Sequence, residues 1–366
     1  MPVTKSWSHE CGPVQVNMAT RPVLSAILVL ATVVAAVCAE VTGKAPVLEL
    51  NDGKKIPQFG LGTWLGFQKA LSEQYYHIIP GGLVKPTGTE VKAAVEWAID
   101  AGYRHIDTAF IYDTEGQVGA AIKEKIRQGV VKREDLFVTT KLWNDKHARD
   151  AVVPALRESL KKLDLEYVDL YLIHWPIGHY PNVTYDDTDF VDTWKGMAEA
   201  RELGLARSVG VCNFNQEQLE RLMASSPVKP AVLQVELNLN LQQPELRSFC
   251  KSKGIVMMAY TPFGSLFPDK AAADAPPPRV ADHELKTIAD KYKKTVPQIV
   301  LRYLVELGVI PIPKSITKKR VEANIDIFDF SLTPEEKEKL KSYDKHYRTI
   351  PVKFWASSKD YPFEKN

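Results

Sequence analysis

Cysteine is scarce in this sequence, and neither sign of charge dominates it. Four cysteines among 366 residues are too few for the disulfide framework of a small secreted scaffold. The 47 basic and 45 acidic residues give a net charge of +2, which provides no strong surface field for nucleic acid or acidic lipid. A small molecule is therefore the expected partner, without nucleic acid or stable membrane association.

Two kinds of site signature are absent as well. The eight histidines show no close-paired spacing, and Cys212 and Cys250 lie in no metal-binding motif, so no metal site is predicted. Gly60 and Gly62 lack the third glycine that a dinucleotide-binding fingerprint requires. The sequence therefore does not favour a doubly wound dinucleotide domain.

Residues 1–39 are predicted to be a leader that ends in a secretory signal peptide, and residues 40–366 a single domain. Arg21 precedes an uncharged apolar run over 22–39, in which Val37 and Ala39 occupy the −3 and −1 positions of a cleavage site. We therefore expect secretion, although the run is also long enough for a membrane anchor that stays uncleaved. Asn182-Val183-Thr184 is an N-glycosylation acceptor that agrees with export.

The chain has the composition of a globular protein, with 45% apolar and 25% charged residues. Eight apolar, strand-like runs alternate with helical patterns, which is typical of a parallel sheet covered by helices. Eight such units predict a closed (β/α)8 TIM barrel. The runs end near Gly62, Asp107, Lys141, His174, Asn213, Glu236, Tyr260 and Lys314. The helical patterns cover 88–101, 114–128, 148–162, 189–204, 215–225, 244–253 and 317–325, with two more between Asp282 and Leu307.

Additional segments surround this predicted barrel. Alternating residues around Asn51-Asp52-Gly53 predict a β-hairpin that caps one end. Long connections at 66–88 and 265–279 are expected to overhang the mouth. The tail after Asp344 is polar but carries aromatic residues, which favours either a lid over an apolar ligand or packing on the outer surface of the barrel. These aromatic residues are Phe354, Trp355, Tyr361 and Phe363.

Four polar residues lie at or just beyond predicted strand ends: Asp107, Tyr112, Lys141 and His174. In a parallel barrel these ends converge on one face, so the four side chains are expected to meet. A phenol has a pKa of about 10, and a nearby ammonium is expected to lower it, with a carboxylate keeping that ammonium charged. An imidazole can orient a carbonyl oxygen or share the proton. Taken singly, each residue also fits a structural role as helix cap, rim packing, solvated head or core histidine.

The motifs around these residues resemble those of the aldo-keto reductase family, in family order and over about residues 46–345. They are GLGTW (60–64), GYRHIDTA (102–109) with Tyr112, KLW (141–143), LIHWP (172–176), GVCNFN (210–215), AYTPFGS (259–265) and IPKSITKKRVEANIDIFDF (312–330).

The resemblance implies an NADPH-dependent carbonyl reductase on a barrel. Tyr112 would be the general acid, Lys141 and Asp107 would tune it, and His174 would orient the substrate. The nicotinamide would lie over Tyr260, with its carboxamide held by Cys212, Asn213 and Gln234. Further cofactor contacts would come from Gly62, Thr63, Trp64, Pro262, Gly264 and Ser265.

A phosphate site is predicted where the eighth strand gives way to a helix. Lys314, Ser315 and Arg320 lie there, and cations together with free helix N–H groups bind a phosphate ester. By resemblance this is the site of the cofactor 2′-phosphate, with Asn324 near the adenine. Cys212 and Ala323 stand where the family commonly has serine and glutamate, and the insertion at 66–88 is longer than usual.

The signal peptide and the NLNL run resemble the insect branch of the family, which includes secreted 3-dehydroecdysone reductases. Trp64, Phe110, Trp143 and Trp175 would give an apolar pocket that suits a flat steroid ketone. The same pocket also suits aromatic and aliphatic aldehydes, so a general aldehyde reductase stays open. A secreted carrier that binds a steroid or NADPH without turnover is a third interpretation. A monomer is expected.

Overall fold

The computed structural model of the protein describes residues 43–66, 84–180 and 184–364. The predicted leader, most of the insertion at 66–88 and Asn182 of the glycosylation acceptor lie outside the described residues.

A two-stranded antiparallel hairpin precedes the barrel, as predicted. Strand β1 (Val47–Glu49) pairs with β2 (Lys55–Pro57), and Gly53 has a left-handed φ of 78° in the turn between them. Ile56 belongs to the same buried cluster as Phe137, which opens a barrel strand. The hairpin therefore caps the end of the barrel at which the strands begin.

Eight parallel strands form the barrel and neighbour one another in chain order. Main-chain hydrogen bonds from Gly60 N to Pro311 O (3.1 Å) and from Gly62 N to Pro313 O (3.2 Å) join the first and last strands. A Cβ at Gly62 would lie 2.7 Å from the Ile312 carbonyl oxygen, so only glycine fits where the barrel closes. The predicted (β/α)8 fold is confirmed. The strands are β3 (Leu61–Gly62), β4 (His105–Asp107), β5 (Phe137–Leu142), β6 (Val168–Ile173), β7 (Ala206–Cys212), β8 (Val232–Glu236), β9 (Val256–Tyr260) and β10 (Ile310–Pro311).

Helices alternate with these strands and bury their apolar faces against the outer side of the sheet. The sequence patterns predict all of the described helices except the last, α10 (Pro334–Lys341), which has Leu340 as its single buried residue and therefore no apolar stripe to detect. A capping box between Thr333 and Glu336 starts that helix. The described α-helices are α1 (Glu90–Asp100), α2 (Glu115–Arg127), α3 (Arg149–Leu163), α4 (Phe190–Glu202), α5 (Gln216–Ser225), α6 (Pro244–Ser252), α7 (His283–Tyr292), α8 (Val296–Glu306), α9 (Lys318–Ile325) and α10 (Pro334–Lys341). In the part of the chain that the structure describes, no helix is both long and apolar enough to cross a membrane.

The tail, residues 344–364, packs at the barrel mouth. Its residues Val352, Trp355 and Tyr361 form a buried cluster with Trp143 and Trp175. Trp143 directly follows strand β5, and Trp175 lies just beyond the end of β6. Of the two arrangements that the sequence leaves open for the tail, the structure shows the one over the mouth.

Candidate active site

The ends of the barrel strands place the four predicted catalytic side chains on one face. Asp107 is the last residue of β4, Lys141 lies in β5, and His174 directly follows β6. Tyr112 is the last residue of a short 3-10 turn, Phe110–Tyr112, that follows β4. Residues far apart in the sequence meet here because parallel strands all end at this face.

Asp107, Lys141 and Tyr112 form one connected group. Lys141 Nζ donates hydrogen bonds to Asp107 Oδ1 at 2.6 Å and to Thr108 O at 3.0 Å, and it lies 3.3 Å from the Tyr112 hydroxyl oxygen. Gln234 Nε2 donates to the second carboxylate oxygen of Asp107 at 2.8 Å. The Lys141 and Asp107 side chains are buried, so each charge is stabilised chiefly by the other.

The pKa of Tyr112 differs from the expectation. The sequence predicts that the Lys141 cation lowers it, whereas burial, followed by the charge of Asp107, raises the Tyr112 pKa well above its ordinary value. Because Lys141 is already paired with Asp107, the phenol faces a nearly neutral ion pair instead of a lone cation. Tyr112 therefore holds its proton at neutral pH, as a proton donor must.

His174 is buried beside Tyr112. Its ring lies edge-to-face with the rings of Tyr112 and Trp143, at centroid distances of 5.6 and 5.2 Å. Burial, and then the charge of Lys141, lower the pKa of His174 well below its ordinary value, so the imidazole is neutral. Its Nδ1 has no hydrogen-bond partner among the residues described. A neutral imidazole offers one N–H donor and one acceptor, which suits it to orient an oxygen at the mouth.

The predicted nicotinamide contacts form a continuous network that reaches the catalytic group. The Tyr260 hydroxyl donates to Asn213 Oδ1 at 2.8 Å, and Asn213 Nδ2 donates to Cys212 Sγ at 3.1 Å. Cys212 Sγ lies 3.8 Å from Gln234 Oε1, and Gln234 bonds Asp107. Asn213 has a left-handed φ of 63°, a strained conformation of the kind that clusters at functional sites.

The first strand supports the site from the opposite side. Thr63 Oγ1 donates to Asp107 O at 3.0 Å, so Thr63 fixes the strand end that carries the carboxylate. The Trp64 ring stacks near Tyr112, with centroids 6.3 Å apart and an interplanar angle of 26°. Gly62 serves barrel closure, as described above.

The loop after β9 carries the predicted contacts Pro262, Gly264 and Ser265. Gly264 has a left-handed φ of 47°, and a Cβ there would lie 2.6 Å from the Asn238 side chain, so the loop backbone needs glycine to approach β8. Ser265 is buried, and its Oγ lacks a hydrogen-bond partner within the described residues. An unused buried hydroxyl is suited to a polar ligand.

Cations gather at the predicted phosphate site. Desolvation against the barrel rim, and then the charges of Lys270 and Arg320, lower the pKa of Lys314. Neither Lys314 nor Arg320 forms an ion pair with a carboxylate that the structure describes. Lys270 lies 3.9 Å from Asp269, but Lys314 and Arg320 are cations without a neutralising acid, which suits an anion. Nearby, Ser315 Oγ accepts a hydrogen bond from Thr317 N at 3.1 Å, and Asn324 is buried in α9.

Lys270 is a residue that the sequence reasoning missed. It lies in the segment 265–279, whose alanine and proline content predicts only an overhanging loop. No sequence pattern relates this lysine to Lys314, because the effect of its charge on the Lys314 pKa depends on how the segment folds.

All four predicted pocket residues lie at the mouth. Trp355 of the tail lies 6.2 Å from Trp143 and 5.2 Å from Trp175 between ring centroids, and Trp64 stacks near Tyr112. Phe110 is partly buried against the same aromatic cluster, and Lys162 Nζ of α3 lies 3.8 Å from its ring centroid. Its ring can make both contacts at once, so its assignment to the pocket stays a prediction.

Comparison with known proteins agrees with this architecture. Residues 61–345 match the family model described as "Aldo/keto reductase family". The aldo-keto reductase AKR2E4 of Bombyx mori is 51% identical over 319 residues, which are 87% of this chain and 99% of that protein. Its crystal structure in complex with NADP superposes with a TM-score of 0.80 at 50% identity, covering 87% of this chain and 99% of that one. The structure of the aldo-keto reductase AKR2E5 complexed with NADPH gives a TM-score of 0.82 at 40% identity, covering 88% and 95% of the two chains. The resemblance to the insect branch is supported, and this chain belongs to the aldo/keto reductase family.

Proposed function

We propose that this protein is an NADPH-dependent oxidoreductase that reduces a ketone or aldehyde carbonyl to an alcohol. The observation that carries the proposal is the connected group at the mouth, in which Lys141 Nζ lies 2.6 Å from Asp107 and 3.3 Å from the Tyr112 hydroxyl. Family membership and two silkworm relatives solved with NADP and NADPH support it.

The residues present fit NADPH. Tyr260 offers a partly exposed ring at the end of β9, and Asn213 and Gln234 offer amide groups that can pair with a carboxamide. The unpaired charges of Lys314 and Arg320 suit a phosphate. When bound, the cofactor supplies the hydride.

The chain itself supplies the proton and holds the carbonyl oxygen. Tyr112 donates its hydroxyl proton to that oxygen as negative charge develops there, because an alkoxide is a stronger base than a phenolate. Lys141, 3.3 Å from the phenol, stabilises the phenolate that is left, and Asp107 keeps the lysine charged. Neutral His174 donates a hydrogen bond that orients the same oxygen.

The substrate proposed is a carbonyl compound with a large apolar body, such as a 3-dehydroecdysone-type steroid ketone. Trp143, Trp175 and Trp355 give the mouth an aromatic wall, which suits a flat ring system. A small aldehyde can use the same catalytic group but not the whole wall.

The test is NADPH consumption by residues 40–366 with a steroid ketone, with an aldehyde and with neither. Tyr112→Phe is expected to lower turnover by about 10²-fold to 10⁴-fold because the proton donor is gone, while NADPH binding persists. Tyr180→Phe is the matched control, since Tyr180 is 56% exposed on the surface. Cofactor binding without consumption by the unaltered chain would instead indicate a carrier.

We also propose that the chain is exported after cleavage behind Ala39. The apolar run and small residues before Glu40 support this. Recovery of the protein from culture medium with Glu40 at its amino end is the expected result, and retention in the membrane fraction would contradict it.

A further inference from the structure

The tail is held in an unfavourable conformation where it crosses the mouth. His346 and Val352 both have left-handed φ values, 52° and 42°. For a β-branched residue such as Val352 this conformation is a genuine outlier, and it persists only where the surroundings enforce it. The segment between these two residues must therefore be fastened to the barrel.

The carboxylate of Glu236 fastens it. Glu236 is the last residue of β8 and is fully buried. Its Oε1 accepts a hydrogen bond from Thr349 N at 2.7 Å, and its Oε2 accepts one from Ile350 N at 2.8 Å. Asn238 Nδ2 donates to Oε1 at 3.2 Å and fixes the orientation of the carboxylate. Hydrogen bonds to a charged acceptor are stronger than neutral ones.

Arg348, a cation of the tail, acts on the same carboxylate. The charge of Arg348 opposes the rise in the Glu236 pKa that burial causes. The same guanidinium lies 3.6 Å from the ring centroid of Phe363 near the end of the tail. Arg348 therefore connects the fastened segment to the part of the tail that packs on Trp175, whose ring centroid is 5.9 Å from that of Phe363.

Glu236 lies between the proposed cofactor position at Tyr260 and the tail. In the β8–β9 pairing, Glu236 is the register partner of Tyr260, the ring that the cofactor is proposed to cover. On the other side, the two bonded N–H groups precede Trp355, which packs against Trp143 and Trp175. A carboxylate of the barrel thus fixes the position of the aromatic residue that the tail contributes to the mouth.

We propose that Glu236 is a positioning residue that holds the tail over the mouth and thereby sets how tightly the site binds a large apolar carbonyl compound. The proposal rests on the proposed reductase function for its substrate and on geometry alone for the fastening. It concerns KM for large substrates, since Glu236 touches neither Tyr112 nor Lys141.

Glu236→Gln tests it with nearly unchanged side-chain shape. The amide keeps one acceptor oxygen and replaces the other with an NH₂ group that cannot accept, so one of the two tail bonds is lost. We expect trypsin to cleave the native chain after Arg348 or Lys353 about tenfold faster, and KM for the steroid ketone dihydrotestosterone to rise about tenfold. KM for propanal is expected to change less than about twofold, because a small substrate does not reach the tail.

A second variant changes the tail instead of the barrel carboxylate. Thr349→Pro removes the N–H that Glu236 accepts and lies on the tail, outside the barrel core, so it decides the question if Glu236→Gln does not fold. Glu245→Gln, at an exposed position of α6, is the matched control. Wild-type cleavage rates and an unchanged ratio of the two KM values in both variants would overturn the proposal. If the unaltered chain consumes no NADPH, the reductase function fails, and proteolysis alone still decides whether Glu236 fastens the tail.

Discussion

Lys141 Nζ lies 2.6 Å from Asp107 Oδ1, and both side chains are buried at the barrel mouth. The pair performs two tasks at once. It places an ammonium beside the Tyr112 hydroxyl, where the proposed proton transfer requires one, and it neutralises two charges that burial would otherwise make costly. Stability and activity can therefore be separated by changing one partner or both.

Asp107→Asn leaves the Lys141 ammonium buried without its carboxylate. We expect the free energy of unfolding to fall by about 3–5 kcal/mol, measured by urea denaturation, and turnover to fall with it. The double variant Asp107→Leu with Lys141→Met removes both charges and should recover most of the stability while staying inactive. A single variant as stable as the unaltered chain would show that the ion pair is not formed in the fold.

Arg320→Ala removes a cation that has no carboxylate partner among the described residues. The Kd for NADPH is expected to rise about tenfold, whereas the Kd for NADH, which lacks the 2′-phosphate, should barely change. Lys318→Ala on the same helix is the control, because Lys318 lies 3.9 Å from Glu322. Equal losses for both cofactors in fluorescence titration would place Arg320 outside the phosphate site.

Cys212→Ser replaces the thiol, which is the weakest hydrogen-bonding group in the network between Tyr260 and Asp107. The thiol accepts from Asn213 Nδ2 at 3.1 Å and lies 3.8 Å from Gln234 Oε1, and sulfur is a weak hydrogen-bond partner. A hydroxyl should hold both amides more firmly and lower the Kd for NADPH about threefold to tenfold. An unchanged or raised Kd in the same titration would show that the thiol does not limit cofactor binding.

The barrel and the meeting of four polar side chains at its mouth were accessible from the sequence because they depend on local patterns. Apolar runs that alternate with helices predict the eight strands, and polar residues at strand ends such as Asp107 and His174 predict where side chains meet. The hairpin at Asn51–Gly53 is likewise a short-range signal.

Other features depend on contacts between distant segments and left no local signal. The charge of Lys270 affects the pKa of Lys314 only because of how its segment folds, and Glu236 accepts a hydrogen bond from a tail N–H group more than a hundred residues away. The raised pKa of Tyr112 follows from burial, which no sequence pattern measures.

His147 makes stability depend on pH in the acid range. It is fully buried, and burial, followed by the charge of His179, lowers the pKa of His147 to about 3. The unfolded chain takes up this proton below about pH 6.5, whereas the folded chain does so only near the lower value, so stability is lost as the pH falls between the two. In that range His147 lowers the free energy of unfolding by about 1.4 kcal/mol for each pH unit of acidification.

His147→Leu removes that dependence. Neither ring nitrogen of His147 has a hydrogen-bond partner in the part of the chain that the structure describes, so the apolar replacement should cost less than about 1 kcal/mol at about pH 8. Between about pH 6 and pH 4, the free energy of unfolding should fall less steeply with decreasing pH in the variant than in the unaltered chain. The two slopes should differ by about 1.4 kcal/mol per pH unit. Urea denaturation at several pH values measures both slopes. Parallel slopes would mean that His147 is protonated equally in the folded and unfolded chains, contrary to its burial.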